Sequence, residues 1–226
     1  MESSIIPATS GICWIGSASV VNGLPDGHSN ATRRRLAAGS ATAGRGLKKA
    51  RSEGRTILFI DESGLSTRPH RVRTWGRRGQ TPVVQETFNW QSLSLLGGLS
   101  LWRFYFRAYA GSIKSPQVVE FLGALLRHLP GPLLVVWDGA PIHRSALVRD
   151  FVATQATRLV VERLPAYAPE LNPVEYVWAH LKEHELGNLI VRHAYELDHQ
   201  ATRALRRMRR RPSLIRACWK QADLWP

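Results

Sequence analysis

The chain has 226 residues, of which 44% are hydrophobic, so it is long and apolar enough for one domain with a core and is not a wholly disordered protein. Its 31 lysines and arginines against 17 acidic residues give a formal net charge of +14, which favours polyanionic partners, most commonly nucleic acid. Arginine supplies 26 of the cations and suits phosphate contacts, although a GC-rich genome would produce the same bias.

Cysteine usage and hydropathy indicate a reduced, cytoplasmic protein. Cys13 and Cys218 are too few for a disulfide framework, and no zinc-ligand spacing is present. The longest apolar runs are about eight residues or fewer, below the 18 or so that cross a bilayer, and the first residues lack the order of a signal peptide. We therefore expect no membrane partner.

The predicted elements begin after a low-complexity segment. Residues 1–53 are rich in small and polar residues, carry clustered charge at 33–35 and 48–49, and show no helix or strand period. We predict a basic, disordered tail there, with a short helix over residues 47–55 leading into a domain at 54–190.

Three strands are predicted next. Residues 57–60 form an apolar run that stops at Asp61, which is typical of a buried strand. Residues 71–84 contain glycines and a proline between short extended pieces, and predict a basic hairpin. Residues 92–101 and 102–109 predict two further strands.

The rest of the chain alternates helices and strands. A helix is predicted from Ser115 to the Pro130–Gly131 stop, and a buried strand, Leu133–Trp137, ends at Asp138. There follow a short helix at 144–153, a strand at 159–162, a helix from Pro173, and a basic C-terminal helix at 194–208 with a tail. This order predicts an α/β fold, a ribonuclease-H-like mixed five-stranded sheet flanked by helices.

Two aspartates are placed where a sheet binds ligands. Asp61 and Asp138 each end an apolar strand, and open sheets bind ligands at the carboxyl ends of their strands. Two adjacent carboxylates resist joint ionisation unless a cation lies between them. The pair therefore predicts a divalent metal site.

Glu175 is the third candidate ligand. Asn172 resembles a helix N-cap and Pro173 the first helical residue, so Glu175 stands at the third position, where a capping box is the alternative interpretation. Three carboxylates together select Mg²⁺ or Mn²⁺ rather than zinc. Two such ions, about 3.5 to 4 Å apart, can clamp the attacking and leaving oxygens of a phosphoryl transfer, as in a nuclease.

Four segments resemble one family, the IS630 group of DDE transposases, which are relatives of Tc1/mariner. They are residues 59–63 (FIDES), 73–82 (RTWGRRGQTP), 137–144 (WDGAPIHR) and 164–178 (LPAYAPELNPVEYVW). The last is highly specific, and the 36 residues between Asp138 and Glu175 also match the family's spacing. The resemblance covers roughly residues 54–189.

The resemblance implies a function and a set of partners. Asp61, Asp138 and Glu175 would be the catalytic acids and would bind two Mg²⁺ or Mn²⁺ ions. The reaction would be cleavage at element ends and strand transfer into target DNA, usually at TA, in a prokaryotic cytoplasm at the nucleoid. A homodimer remains open. Two alternatives also remain: an inactive DNA-binding remnant and a purely hydrolytic ribonuclease-H-like nuclease.

The chain departs from the family at its N-terminus. Residues 1–50 do not resemble the helix-turn-helix region that recognises the inverted repeats, so a separate helix-turn-helix subunit is a further partner to consider. Gly139 also stands where many relatives have asparagine, although either residue fits a tight turn.

Further residues are expected at the DNA. They are Arg71, Arg73, Trp75, Arg77, Arg78, His143, Lys182, Arg206, Arg207 and Arg210. In the hairpin, Trp75 could pack on sugar or base, or lie in the core. His143 could orient a phosphate or a catalytic carboxylate, or bond to a turn. For Lys182 and the three C-terminal arginines, the alternative to phosphate contact is a solvated surface.

Overall fold

A computed structural model of the chain describes residues 47, 49–76, 78, 82–83, 91–165 and 169–224. Its five strands form one sheet in the order β3-β2-β1-β4-β5. The strands are β1 (Thr56–Ser66), β2 (Ser92–Ser100), β3 (Phe104–Ala110), β4 (Leu133–Trp137) and β5 (Leu159–Arg163). β1 to β3 pair antiparallel, whereas β4 is parallel to both β1 and β5. The predicted mixed sheet is confirmed.

Helices cover both faces of the sheet. They are α1 (Ser115–His128), α2 (Ala146–Thr154), α3 (Pro173–His180), α4 (Ala194–Met208) and α5 (Pro212–Gln221). Successive strand residues point to opposite faces, so Leu58 and Ile60 join a core with α1 and α2, whereas Phe59 joins a core with α3, α4 and α5. β4 is buried along its whole length because helices lie on both sides of it.

The first strand is longer than predicted. β1 continues past Asp61 to Ser66 because β2 remains paired with it through Ser66↔Ser92. Its pairing with β4 ends earlier, at Phe59↔Val136. Asp61 therefore lies inside a strand, just beyond the point where the parallel neighbour stops.

The predicted C-terminal tail contains a helix. Pro212 begins α5 rather than only ending α4, since a proline in the first helical turn breaks no hydrogen bond. Ile215, Cys218 and Trp219 are buried against the sheet, and the Trp219 Nε1–H donates to the carbonyl of Ser100 at 3.1 Å. The spacing of these three buried residues, at three to four positions, is the amphipathic pattern by which the sequence indicates this helix.

Other predictions fall partly or wholly outside the described residues. The predicted tail over residues 1–46 lies outside them, and so does part of the predicted hairpin. The described residues of the hairpin, 71–76, 78, 82 and 83, contain no strand. Leu47 and residues 49–52 are helical, in agreement with the predicted short helix. Across the part of the chain that the structure describes, every helix is too short or too polar to cross a membrane.

Candidate active site at the junction of β1, β4 and α3

The sheet register brings the two aspartates side by side. Phe59 pairs with Val136, and continuing this parallel register by two residues sets Asp61 beside Asp138. Asp61 is only 7% exposed, whereas the Asp138 side chain is 53% exposed in the loop after β4. One carboxylate therefore lies at the base of the site and the other at its rim.

The third acid enters from α3. Asn172 caps this helix as predicted, because its Oδ1 accepts the Val174 N–H at 3.2 Å. The Asn172 backbone N–H donates to the carbonyl of Pro169 at 2.9 Å, and so is already bonded within the loop. A capping box would need that N–H to bond the Glu175 carboxylate. The observed bonding favours a role for exposed Glu175 other than capping.

The surroundings of Asp61 and Glu175 shift the pKa of both carboxyl groups. Burial raises the pKa of Asp61 to about 8, and the negative charges of Glu175, Glu62 and Asp138 add to the shift, against the N–H of Trp178, which lowers it. Burial also raises the pKa of Glu175; Lys182 opposes this rise, and Asp138 adds to it. The structure thus brings Asp61, Asp138 and Glu175 into one electrostatic cluster.

The cluster has the donor chemistry of a divalent-metal site. Among the described residues, the charged groups that shift the pKa of Asp61 are all carboxylates. A buried carboxylate surrounded by like charges is costly unless a cation neutralises it. Oxygen donors of this kind suit Mg²⁺ or Mn²⁺. The residues present therefore fit the metal that the sequence predicted.

His143 links Asp138 to a fourth acid, Glu62. Its ring lies in the 3-10 turn Pro141–Arg144, 2.8 Å from Glu62 Oε1 through Nε2 and 2.9 Å from Asp138 Oδ1 through Nδ1, and it stacks on Trp137 at 4.3 Å. Burial lowers the pKa of His143, but the bond and charge of Glu62, together with Asp138, outweigh it and the pKa is raised. Because the side chain is 1% exposed, this geometry favours carboxylate orientation over phosphate contact.

Glu62 and Trp178 were not predicted as site residues. Glu62 accepts the His143 contact, and the Trp178 Nε1–H donates to Asp61 Oδ2 at 2.9 Å. Both residues lie within the segments that carried the family resemblance. That resemblance, and their positions beside Asp61 and one turn after Glu175, were the signals available in the sequence.

The predicted DNA contacts occupy several surfaces. Trp75 is 100% exposed, so the core alternative for it does not hold, and Arg71, Arg73 and Arg78 are exposed on the same loop. Arg77 lies outside the described residues. Arg71 and Lys182 line one groove. On α4 and just after it, Arg206 and Arg210 are exposed, whereas Arg207 Nη2 lies 2.5 Å from Glu185.

The basic loop, which carries Arg71, Arg73, Trp75 and Arg78, is attached to the segment that follows α3. His70 forms a parallel bridge with Gly187, and the Asn188 side chain accepts the Val72 N–H and donates to its carbonyl, both at 3.0 Å. A Cβ on Gly187 would lie 2.5 Å from the carbonyl oxygen of Glu183, so only glycine allows this approach. The loop is therefore held against the segment that follows the helix bearing Glu175.

Asn188→Gly is expected to loosen this loop. Asn188 has φ +57°, which glycine adopts without strain, so the substitution removes the two hydrogen bonds to Val72 and little else. We expect the free energy of unfolding to fall by about 1 to 3 kcal/mol for two such bonds. Limited trypsin digestion should cleave faster after Arg71 and Arg73.

Asp223→Gly is the matched control, since Asp223 is exposed and has φ +54° far along the chain from the loop. If trypsin cleaves the loop equally fast in Asn188→Gly and in Asp223→Gly, Asn188 does not hold the loop.

In the absence of divalent metal, the free energy of unfolding is expected to fall as pH rises from about 4 to about 8. Asp61 has a folded pKa of about 8 against an ordinary value of 3.8, so the folded chain binds the extra proton in this window. The contribution of protonated Asp61 to the free energy of unfolding is complete below pH 3.8 and is lost as the pH rises through about 8. The groups facing Asp61 that raise its pKa are Glu175 on α3, Glu62 on β1 and Asp138 after β4.

Urea unfolding in EDTA across this pH range measures the slope, which Asp61→Asn should flatten. Asp150→Asn, at an exposed position on α2, should leave it unchanged. An unaltered slope in Asp61→Asn would show that this carboxyl does not titrate as described.

One family matches the chain. The DDE superfamily endonuclease family matches residues 56–198, which is more than half of the chain and includes Asp61, Asp138 and Glu175. No curated protein sequence matches it.

Solved structures of Mos1 transposase share the fold. The mariner Mos1 paired-end complex with Mn has a TM-score of 0.69 and 18% identity, with coverage of 96% of this chain and 65% of that chain. The Mos1 paired-end complex with the left transposon end has a TM-score of 0.63 and 19% identity, covering 94% and 64%. The catalytic domain of Mos1 mariner transposase has a TM-score of 0.58 and 16% identity, with coverage of 88% of this chain and 93% of that chain. The chain thus spans slightly less than two thirds of the Mos1 chains in the two complexes.

Proposed function

The chain belongs to the DDE superfamily endonucleases, and from that premise we propose that it is the catalytic domain of a transposase that cleaves DNA and transfers the cut strand to a target. The observation that carries the proposal is the position of Asp61, a buried carboxylate that accepts the Trp178 N–H from α3. Its pKa is raised mainly by burial and then by the charges of Glu175, Glu62 and Asp138. The proposed ligands come from the central strand β1, from the loop that follows its parallel neighbour β4, and from helix α3.

Asp61, Asp138 and Glu175 would hold two Mg²⁺ or Mn²⁺ ions. When bound, such ions stabilise the attacking and leaving oxygens of an in-line phosphoryl transfer. Within the chain, His143 holds the exposed Asp138 against Glu62, so the acid at the rim is kept close to β1. The charge of Lys182 opposes the rise in the pKa of Glu175, and Lys182 also lines a groove with Arg71. We propose that it contacts a phosphate of the DNA there.

The proposed reaction has two steps. Water would first attack at the end of the element, and the freed 3′-hydroxyl would then attack target DNA, at a TA dinucleotide. The family membership supports cleavage of DNA, and the resemblance to IS630 transposases implies the two steps and the TA target. A DNA-acting protein of this kind would work at the nucleoid of a prokaryotic cell.

DNA would be held by basic side chains and by Trp75. The contacts we propose on the basic loop are Arg71, Arg73, Trp75, Arg77 and Arg78, and on the C-terminal surface Arg206, Arg207 and Arg210. Arg207 also pairs with Glu185, so we expect it to contribute less than Arg206 and Arg210. A homodimer and a separate helix-turn-helix subunit are the further partners proposed.

One assay tests the proposal. The purified chain is incubated with Mg²⁺ and DNA bearing candidate element ends, with EDTA as the control, and nicked and joined products are separated on a denaturing gel. We expect both products, and only with metal. Nicks without joined products would indicate a hydrolytic nuclease, and DNA binding without nicks an inactive remnant; either result would contradict the proposed transposase.

A further inference from the structure

The indole of Trp178 contacts a proposed metal ligand. Trp178 lies on α3, one turn after Glu175, and is 2% exposed. Its Nε1–H donates to Asp61 Oδ2 at 2.9 Å, a bond that joins residues 117 positions apart. The bond occupies one carboxylate oxygen of Asp61 and restricts rotation of the carboxylate, which also fixes the direction of its second oxygen.

Gly97 provides the space for this indole. In the antiparallel register, Gly97 on β2 pairs with Asp61 on β1. A Cβ on Gly97 would lie 2.6 Å from Cζ2 and 2.7 Å from Cη2 of Trp178, closer than real contacts allow. Phe104 on β3 packs edge-on against the same ring at 5.8 Å. The ring is therefore located by β1, β2, β3 and its own helix.

We propose that Trp178 is a positioning residue that orients Asp61 for metal binding. The inference rests on the proposed function, because it assumes that Asp61 is a metal ligand. Groups that hydrogen-bond a ligand fix its orientation, and losing one commonly weakens metal binding about 10- to 100-fold. Since Glu175 and Trp178 share α3, the same bond also keeps the helix-borne acid in register with the strand-borne one.

Trp178→Phe removes the N–H and keeps an aromatic ring. Mn²⁺ alone is titrated into the purified chain, and free Mn²⁺ is measured by electron paramagnetic resonance, so the readout is metal binding rather than activity. We expect Mn²⁺ affinity to fall by at least about tenfold. The nicking rate of Trp178→Phe should be closer to the wild-type rate at saturating metal than at low metal.

Trp219→Phe is the matched control. Trp219 is also buried in the same core, and its Nε1–H also donates to an oxygen, in this case the backbone carbonyl of Ser100. Each variant loses one N–H hydrogen bond and the same part of the indole but keeps a six-membered ring, so their thermal unfolding midpoints should fall by similar amounts. Only Trp178→Phe should lose Mn²⁺ affinity.

A second pair of variants keeps both tryptophans. Gly97→Ala places a methyl group against the Trp178 ring and should displace Nε1 from Asp61, which would weaken Mn²⁺ binding. Gly98→Ala on the same strand faces the opposite core, where the added methyl would meet the flexible end of Leu58 at 2.9 Å. It should leave Mn²⁺ affinity near that of the wild type.

The outcomes separate this inference from the proposed function. A wild-type chain that binds Mn²⁺, with Trp178→Phe and Trp219→Phe binding it equally well, would overturn the role of Trp178 and leave the metal site standing. If Trp178→Phe does not fold, Gly97→Ala and Gly98→Ala with equal affinities would overturn it in the same way. A wild-type chain that binds no Mn²⁺ would contradict both.

Discussion

Asp138→Asn is expected to abolish Mg²⁺-dependent nicking while leaving the fold intact. The substitution removes one negative charge from the proposed metal site, yet asparagine keeps the Oδ1 that accepts the Ala140 N–H at 2.9 Å. The side chain lies at the exposed rim of the site, so little core packing is disturbed. We expect the single-turnover nicking rate to fall by more than about a hundredfold, the upper end of the loss for a group that only supports a ligand.

Asp150→Asn serves as the control for this prediction. It removes the same charge from an exposed position on α2 and should leave the nicking rate unchanged. Circular dichroism and the unfolding midpoint of both variants should match the wild type. Persistent nicking in folded Asp138→Asn would remove Asp138 from the metal site and would contradict the proposed mechanism.

DNA affinity is expected to fall steeply as salt rises. The chain carries a formal net charge of +14, and each phosphate that it neutralises releases condensed counterions. With six to ten contacted phosphates, affinity should drop by about 10³- to 10⁵-fold between about 50 and 200 mM salt. Fluorescence anisotropy with a labelled duplex measures this slope. A DNA affinity that does not change with salt would show that the positive charge of the chain does not bind DNA phosphates.

The C-terminal surface should contribute a defined part of that slope. Replacing both Arg206 and Arg210 with alanine should lower the salt slope by about two, one for each lost phosphate contact. Arg127→Ala, on α1 across the sheet, should leave the slope unchanged. If the double variant and Arg127→Ala have equal slopes, DNA does not run along the C-terminal surface.

Elements with a strong local pattern could be predicted from the sequence. The apolar run Leu133–Trp137 and the helix Ala194–Met208 have the bounds expected for them, because burial on both faces and helical spacing each leave a clear pattern. The Asn172 cap and the start of α3 at Pro173 also agree. The signal was weaker for α5, where a proline that begins a helix was interpreted only as one that ends the helix before it.

The candidate site depended more on contacts between distant residues. Asp61, Asp138 and Glu175 could be chosen from their positions at strand and helix ends and from the family resemblance. Glu62 and Trp178 could not be chosen in this way. Glu62 is recognised by its contact with His143, 81 positions away, and Trp178 by its bond to Asp61, 117 positions away. His143 was selected, but its burial between two carboxylates decides between alternatives that the sequence left open.

The sequence by itself determined most of the strands and helices, the choice of the three acids and the family that the chain resembles, because these properties follow from local spacing and residue type. It did not determine the extension of β1 to Ser66 or the helix α5. Only the tertiary structure decided that Asp61 and Asp138 lie side by side, that the Asn172 N–H bonds to Pro169 rather than to Glu175, and that Trp75 is exposed. Sheet register and burial arise from pairing and packing between segments far apart in the chain, which no local pattern specifies.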